Sequence, residues 1–235
     1  MLAIYKRELR SYFIGVIGYA FLVIYLAIAG IIFSYTTMFS MSSNVTNYFT
    51  LMLVFSAVAL PLLTMKSFSE ERKTKTEQLL LTAPVSLPAM VFGKFFASYT
   101  VFGSATLLTS LYFLFLVPYA QLKFAVLFGN LVALLLVGMV FISIGLFVSS
   151  LTENQLTAAI GSMAIILVLL GLGIVSSLLP TTYWLRFVFD ALSIFTRFSN
   201  FTNGYFDLAS VVYYLSVGGI FLYLTIRVYD RRRYN

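Results

Sequence analysis

Six stretches of the 235-residue chain are apolar over nearly the full distance a helix must cover to cross a bilayer. A hydrocarbon core of ~30 Å takes about 20 helical residues, and no backbone amide can be left unpaired in it. The runs lie at about 14–35, 47–65, 88–117, 124–150, 155–179 and 208–228. A soluble fold is excluded by the shortage of polar surface: 10% of the residues are charged and 61% hydrophobic. Soluble domains carry roughly 25% charged residues. The expectation is an all-α integral membrane protein, with residues 1–235 forming one membrane domain of six spans. The first run is too long for a signal core and lacks a small-residue cleavage site, so it is expected to be a retained span.

Basic residues give the spans a direction. Lys6, Arg7 and Arg10 precede the first span, and Lys66, Arg72, Lys73, Lys75 and Lys94 fall between the second and third. Arg227, Arg231, Arg232 and Arg233 close the chain, so twelve of fifteen Lys and Arg share one side. Lys123, Arg186 and Arg197 are left for the other. Positive residues stay in the cytoplasm, which predicts a protein of the cell (inner, cytoplasmic) membrane with both termini and the 66–86 insert inside. The net charge of +7 in such clusters reads as anchoring rather than as nucleic-acid binding.

Two segments outside the spans have helical periodicity. In residues 1–13, Leu2, Tyr5, Leu9, Tyr12 and Phe13 fall on one face and Lys6, Arg7, Glu8, Arg10 and Ser11 on the other, with Ile4 off the apolar face. This pattern predicts a helix lying in the interface plane. Between the last two spans, residues 180–207 predict one or two short helices on or in the outer leaflet, with Arg186, Asp190 and Arg197 stacked on one face.

The insert Lys66–Ser86 is longer than a helix connection needs. Thr74 and Glu77 have capping-box spacing, so a helix is expected from about Lys75 to Thr82, with Leu79, Leu80 and Leu81 as an apolar ridge. Pro84 stops it, and Pro88 can open the third span from its first turn. A charged helix with a leucine edge suits docking to a partner. Pro61 is expected to kink the second span.

Chemistry is absent where it would be costly. No charged residue sits in the middle of a span, Asn130 reads as an interhelical bonding group, and Gly138 and Gly145 read as packing positions. The chain has no cysteine and no histidine, no G-x-x-x-x-G-K-[ST] loop and no nucleophile–base pair or metal-ligand cluster. It is therefore expected not to be an enzyme, and to hold no cofactor of its own.

The stretch Phe68-Ser-Glu-Glu-Arg72 followed by TEQLLLTAPVS over Thr76–Ser86 resembles the coupling segment of type-2 ABC transporter permeases. Ser149–Gln155, SSLTENQ, matches at the next turn on the same side, as does Arg197–Asp207 before the last span. The likeness covers nearly the whole chain and is closest to permeases of the gliding-motility and nitrous-oxide-reductase-maturation kind. Lys75 departs from it, standing where the family commonly has glycine before the threonine. The resemblance implies an exporter permease subunit that pairs with a second permease chain and docks two ATPase subunits, which bind ATP and Mg. It implies docking through Glu70, Glu71, Arg72, Glu77, Leu79 and Leu80, with Glu153 and Asn154 as a second contact. An ion-coupled carrier or channel, and a non-transporting scaffold for an envelope complex, are the alternatives.

Overall fold

The computed structural model describes residues 1–40, 45–77, 86–116, 124–178, 184–202 and 207–234. Their regular structure is entirely helical. Helix α1 spans Leu2–Ile14, α2 Val16–Phe33, α3 Thr46–Thr64, α4 Lys66–Lys73 and α5 Leu87–Ser110. They are followed by α6 Phe124–Leu151, α7 Gln155–Leu178, α8 Trp184–Leu192, α9 Ile194–Thr202 and α10 Leu208–Tyr234. A π-helical turn, Ser34–Phe39, extends α2, and a 3-10 turn, Leu111–Leu116, extends α5. Six of these helices are long and apolar enough to cross a membrane, at positions close to the six apolar runs.

α6 is the centre of the bundle and packs on α3, α5, α7, α9 and α10. In its most apolar window 67% of residues are buried, against 22% for α2 and α7, so the outer helices turn apolar faces away from the protein. Close packing around α6 depends on missing side chains. A Cβ on Gly138 would lie 2.0 Å from Cε1 of Phe102, and one on Gly145 would lie 2.0 Å from Oγ1 of Thr64. Small residues let helices approach where lipid supplies no hydrophobic driving force. Asn130 is fully buried and its amide donates to Val126 O within its own helix, at 2.8 Å, instead of to a neighbouring one.

Two local expectations are corrected, and the insert holds a helix that the sequence pattern does not show. Ile4, off the apolar face of the amphipathic pattern, is the buried residue of α1 and packs against Gly93 of α5. The helix lies against the protein along Ile4, Glu8 and Tyr12, so a tertiary contact overrides the water–lipid pattern. In the insert, the described helix runs from Lys66 to Lys73, ahead of the expected one. The Thr74 hydroxyl donates to Glu70 O at 2.8 Å and so closes α4 at its C-terminus, while most of the expected 75–82 helix lies outside the described residues. Lys75 then takes a φ of 58°, in the left-handed region, and its N–H bonds Arg72 O. Residues 78–85, including Leu79 and Leu80, lie outside the described residues. In the segment before the last span, Ser193 separates two helices and accepts the N–H of Thr196. Arg186 and Asp190 pair on α8, while Arg197 sits on α9 and lies over the ring of Tyr213.

α3 continues through Pro61 to Thr64, and the break to α4 falls at Met65. Pro88 sits in the first turn of α5. Its fixed φ suits that position, and its missing N–H is one that a helix start leaves unpaired in any case.

Candidate docking platform

α4, the α6–α7 turn, the end of α10 and the start of α5 meet at the basic end of the bundle. What holds α4 there is a hydroxyl from another helix. A helix start leaves its first N–H groups without intrahelical partners. In α4 two of these, on Phe68 and Ser69, both donate to Oγ of Ser149 at 3.1 Å, and that hydroxyl donates in turn to Met65 O at 3.0 Å. Ser149, Phe68 and Ser69 are all fully buried. The serine thus does for α4 what an N-cap residue does for its own helix.

The far end of α4 is tied to the same turn. Arg72 donates from Nη1 to Leu151 O at 2.6 Å and pairs through Nε with Glu153 Oε1 at 3.0 Å. Glu77, just beyond, accepts from Arg232 of α10 at 3.0 Å, and the same guanidinium reaches Ser150 O at 2.6 Å. The rings of Phe68 and Tyr229, 4.9 Å apart, pack the space between. Asn154 caps α7 by accepting the N–H of Leu156 at 3.0 Å.

A closed ring of charges ties α4 to α1 and α5. Lys94 Nζ lies 2.9 Å from Glu71 Oε1 and 3.1 Å from Glu8 Oε1, and Arg7 Nη2 lies 3.1 Å and 2.7 Å from the same two oxygens. Lys94 is only 1% exposed and also donates to Ser67 O at 2.7 Å. A buried ammonium is tolerated only when its protons and charge are matched, as they are here by two carboxylates and a carbonyl. Burial pushes the Glu8 carboxyl up, but the Lys94 ammonium and then the Arg7 guanidinium outweigh it and hold Glu8 below the ordinary glutamate range. Tyr12 adds a neutral tie, bonding Ser98 at 2.9 Å and Ser67 at 3.3 Å.

The expected docking residues divide by what they touch. Glu70, Glu153 and Asn154 are exposed. Glu71, Arg72 and Glu77 are half-buried and engaged with Lys94, Leu151 and Glu153, and Arg232 respectively. Lys94, Glu8, Ser149 and Arg232 complete the arrangement without having been singled out from the sequence. One signal for the first was available: Lys94 and Ser98 are four residues apart, a polar stripe within an apolar run.

No curated protein matches the chain. Residues 31–211 match the family described as ABC-2 family transporter protein, a region that runs from the first span into the last and contains α4 and the α6–α7 turn. Its members are membrane subunits of ABC transporters, which generally work with a separate ABC ATPase. The match covers well over half of the chain, and the chain belongs to the ABC-2 transporter family as a multi-pass membrane subunit.

Proposed function

We propose that the chain is the permease half of an ATP-driven exporter, inserted in the inner membrane with its basic end in the cytoplasm and driven by two ATPase subunits that hold the ATP and Mg. A second permease chain completes the translocation path. The orientation rests on the twelve-to-three division of basic residues. Within the family, the motifs at Phe68–Ser86 and Ser149–Gln155 favour the gliding-motility and nitrous-oxide-reductase-maturation kind.

The observation that carries this reading is the cross-bracing of α4 to the α6–α7 turn by Ser149 and Arg72. A lever transmits force only if it is stiff, and here two segments that are distant in sequence form one stiff body at the end of the bundle. Direct contact with the ATPase is assigned to the exposed Glu70, Glu153 and Asn154, together with Leu79 and Leu80. Glu71, Arg72 and Glu77 take the part of holding the surface in shape. When ATP draws the two ATPase subunits together, the platform is pushed as a unit and the spans reorient between inward- and outward-facing arrangements. Nucleotide can drive this only through a difference in affinity between the two arrangements.

The test is copurification with the ATPase after charge reversal at exposed positions. Glu70→Lys should weaken ATPase association by at least about tenfold with the thermal stability of the permease nearly unchanged, and Glu153→Lys, which also breaks the exposed pair with Arg72, should weaken it further. Full retention of ATPase binding and of transport-linked hydrolysis would remove these residues from the interface.

A further inference from the structure

Lys6 and Arg10 are exposed on α1, and neither has an ion-pair partner among the described residues, which include all eight carboxylates of Asp and Glu. The nearby carboxylates of Glu8 and Glu71 are already matched by Lys94 and Arg7, in a ring whose charges sum to zero. The two free cations therefore stand uncompensated. With Arg7, Ser11, Ile14 and Gly15 they line a groove of about 680 Å³ where α1 turns into α2.

The position of the groove says what chemistry it faces. Immediately past it the exposed residues become apolar: Ile14 is 74% exposed, Val16 79% and Tyr19 57%. These begin the first membrane-spanning helix, so the groove lies at the boundary between headgroups and hydrocarbon, cationic on one side and apolar on the other. A free phosphate would use only the cationic side. A phospholipid uses both.

We propose that this groove is a binding site for an anionic phospholipid, with the phosphodiester between Lys6 and Arg10 and an acyl chain running along Ile14 and Val16. Ser11, exposed on the same face, supplies a hydroxyl to the headgroup. The site does not depend on the transport reading. It uses residues that the docking platform leaves free, and it gives α1 a fixed depth at the membrane boundary on top of its contacts with α5.

The full-length chain in a neutral detergent, offered dioleoylphosphatidylglycerol or dioleoylphosphatidylcholine, tests the site by native mass spectrometry. Wild type should retain the anionic lipid in preference to the zwitterionic one by on the order of thirtyfold, at roughly 1 kcal/mol for each of two basic residues at a charged surface. Lys6→Gln with Arg10→Gln should bring the ratio close to one, and the charge-matched control Lys73→Gln with Lys75→Gln should leave it high. All four side chains are exposed, so the variants are expected to fold, and unchanged melting temperatures would confirm it. Equal preference in wild type and K6Q/R10Q would overturn the proposal. Displacement of the lipid by millimolar inorganic phosphate would also overturn it, marking a site for free anions.

Discussion

Lys94 Nζ approaches Glu71 Oε1 to 2.9 Å, so a lysine inside the third span, itself 1% exposed, is joined to a half-buried glutamate just after the second. Removing one member of such a pair leaves a charge with nothing to replace its partner. Lys94→Met should destabilise the protein by about 3 kcal/mol, read as a lowered melting temperature in detergent. Arg7, which is 52% exposed, should tolerate Arg7→Gln at a cost below about 1 kcal/mol. Equal effects of the two substitutions would deny that burial sets the energetics of the ring.

Ser149 makes a sharper test, because its hydroxyl serves three backbone groups and the site is dry. Ser149→Ala strands the N–H groups of Phe68 and Ser69, and should cost about 2 kcal/mol. Amide hydrogen exchange at those two positions should accelerate well before the spans themselves open.

Lys75 pays a conformational cost at a φ of 58° that glycine does not. Lys75→Gly is expected to leave stability unchanged or to raise it by up to about 1 kcal/mol, despite the general penalty for glycine in an ordered chain. A loss of more than about 1 kcal/mol on thermal unfolding would show that the lysine side chain makes a contact worth more than the strain.

The glycines of α6 and α10 should respond differently to the same added methyl. Gly138→Ala drives a Cβ to 2.0 Å from the Phe102 ring and should cost about 1–3 kcal/mol. A Cβ on Gly219 meets nothing within 4 Å, so Gly219→Ala should be neutral or stabilising in the isolated chain by up to about 1 kcal/mol. If Gly219→Ala instead disrupts a permease dimer on size-exclusion chromatography, that open face is where the second chain packs.

How far the fold was legible follows from what each pattern measures. The six spans were, because hydropathy over 20 residues reports directly on the solvent around a helix. The short helices α8 and α9 were legible as helical, but not the break at Ser193, whose hydroxyl capping is a local competition that periodicity does not register. Ile4 was misplaced because an amphipathic pattern divides residues between water and lipid and has no third category for protein. α4 is not legible, because the leucines and the capping-box spacing signal helix only over residues 75–82, while Lys66–Lys73 carries charge around most of its circumference. Its stability comes from Ser149, 80 residues away from Ser69, which no local window contains. Lys94 reads as a loop anchor, since a lone lysine near the start of a span carries no sign in the sequence of its two distant carboxylates.

The charge ring also sets an order of assembly. Glu8 leaves the ribosome well before Lys94, which arrives only with the third span, so α1 cannot complete its seat until that span is in place. A chain truncated before Lys94 should accordingly leave Arg7 and Arg10 open to trypsin, whereas one extended through the whole of α5 should protect them. An element made ahead of the first two spans is thus fully secured only after them, and the same lysine that steadies the finished protein acts during synthesis as its latch.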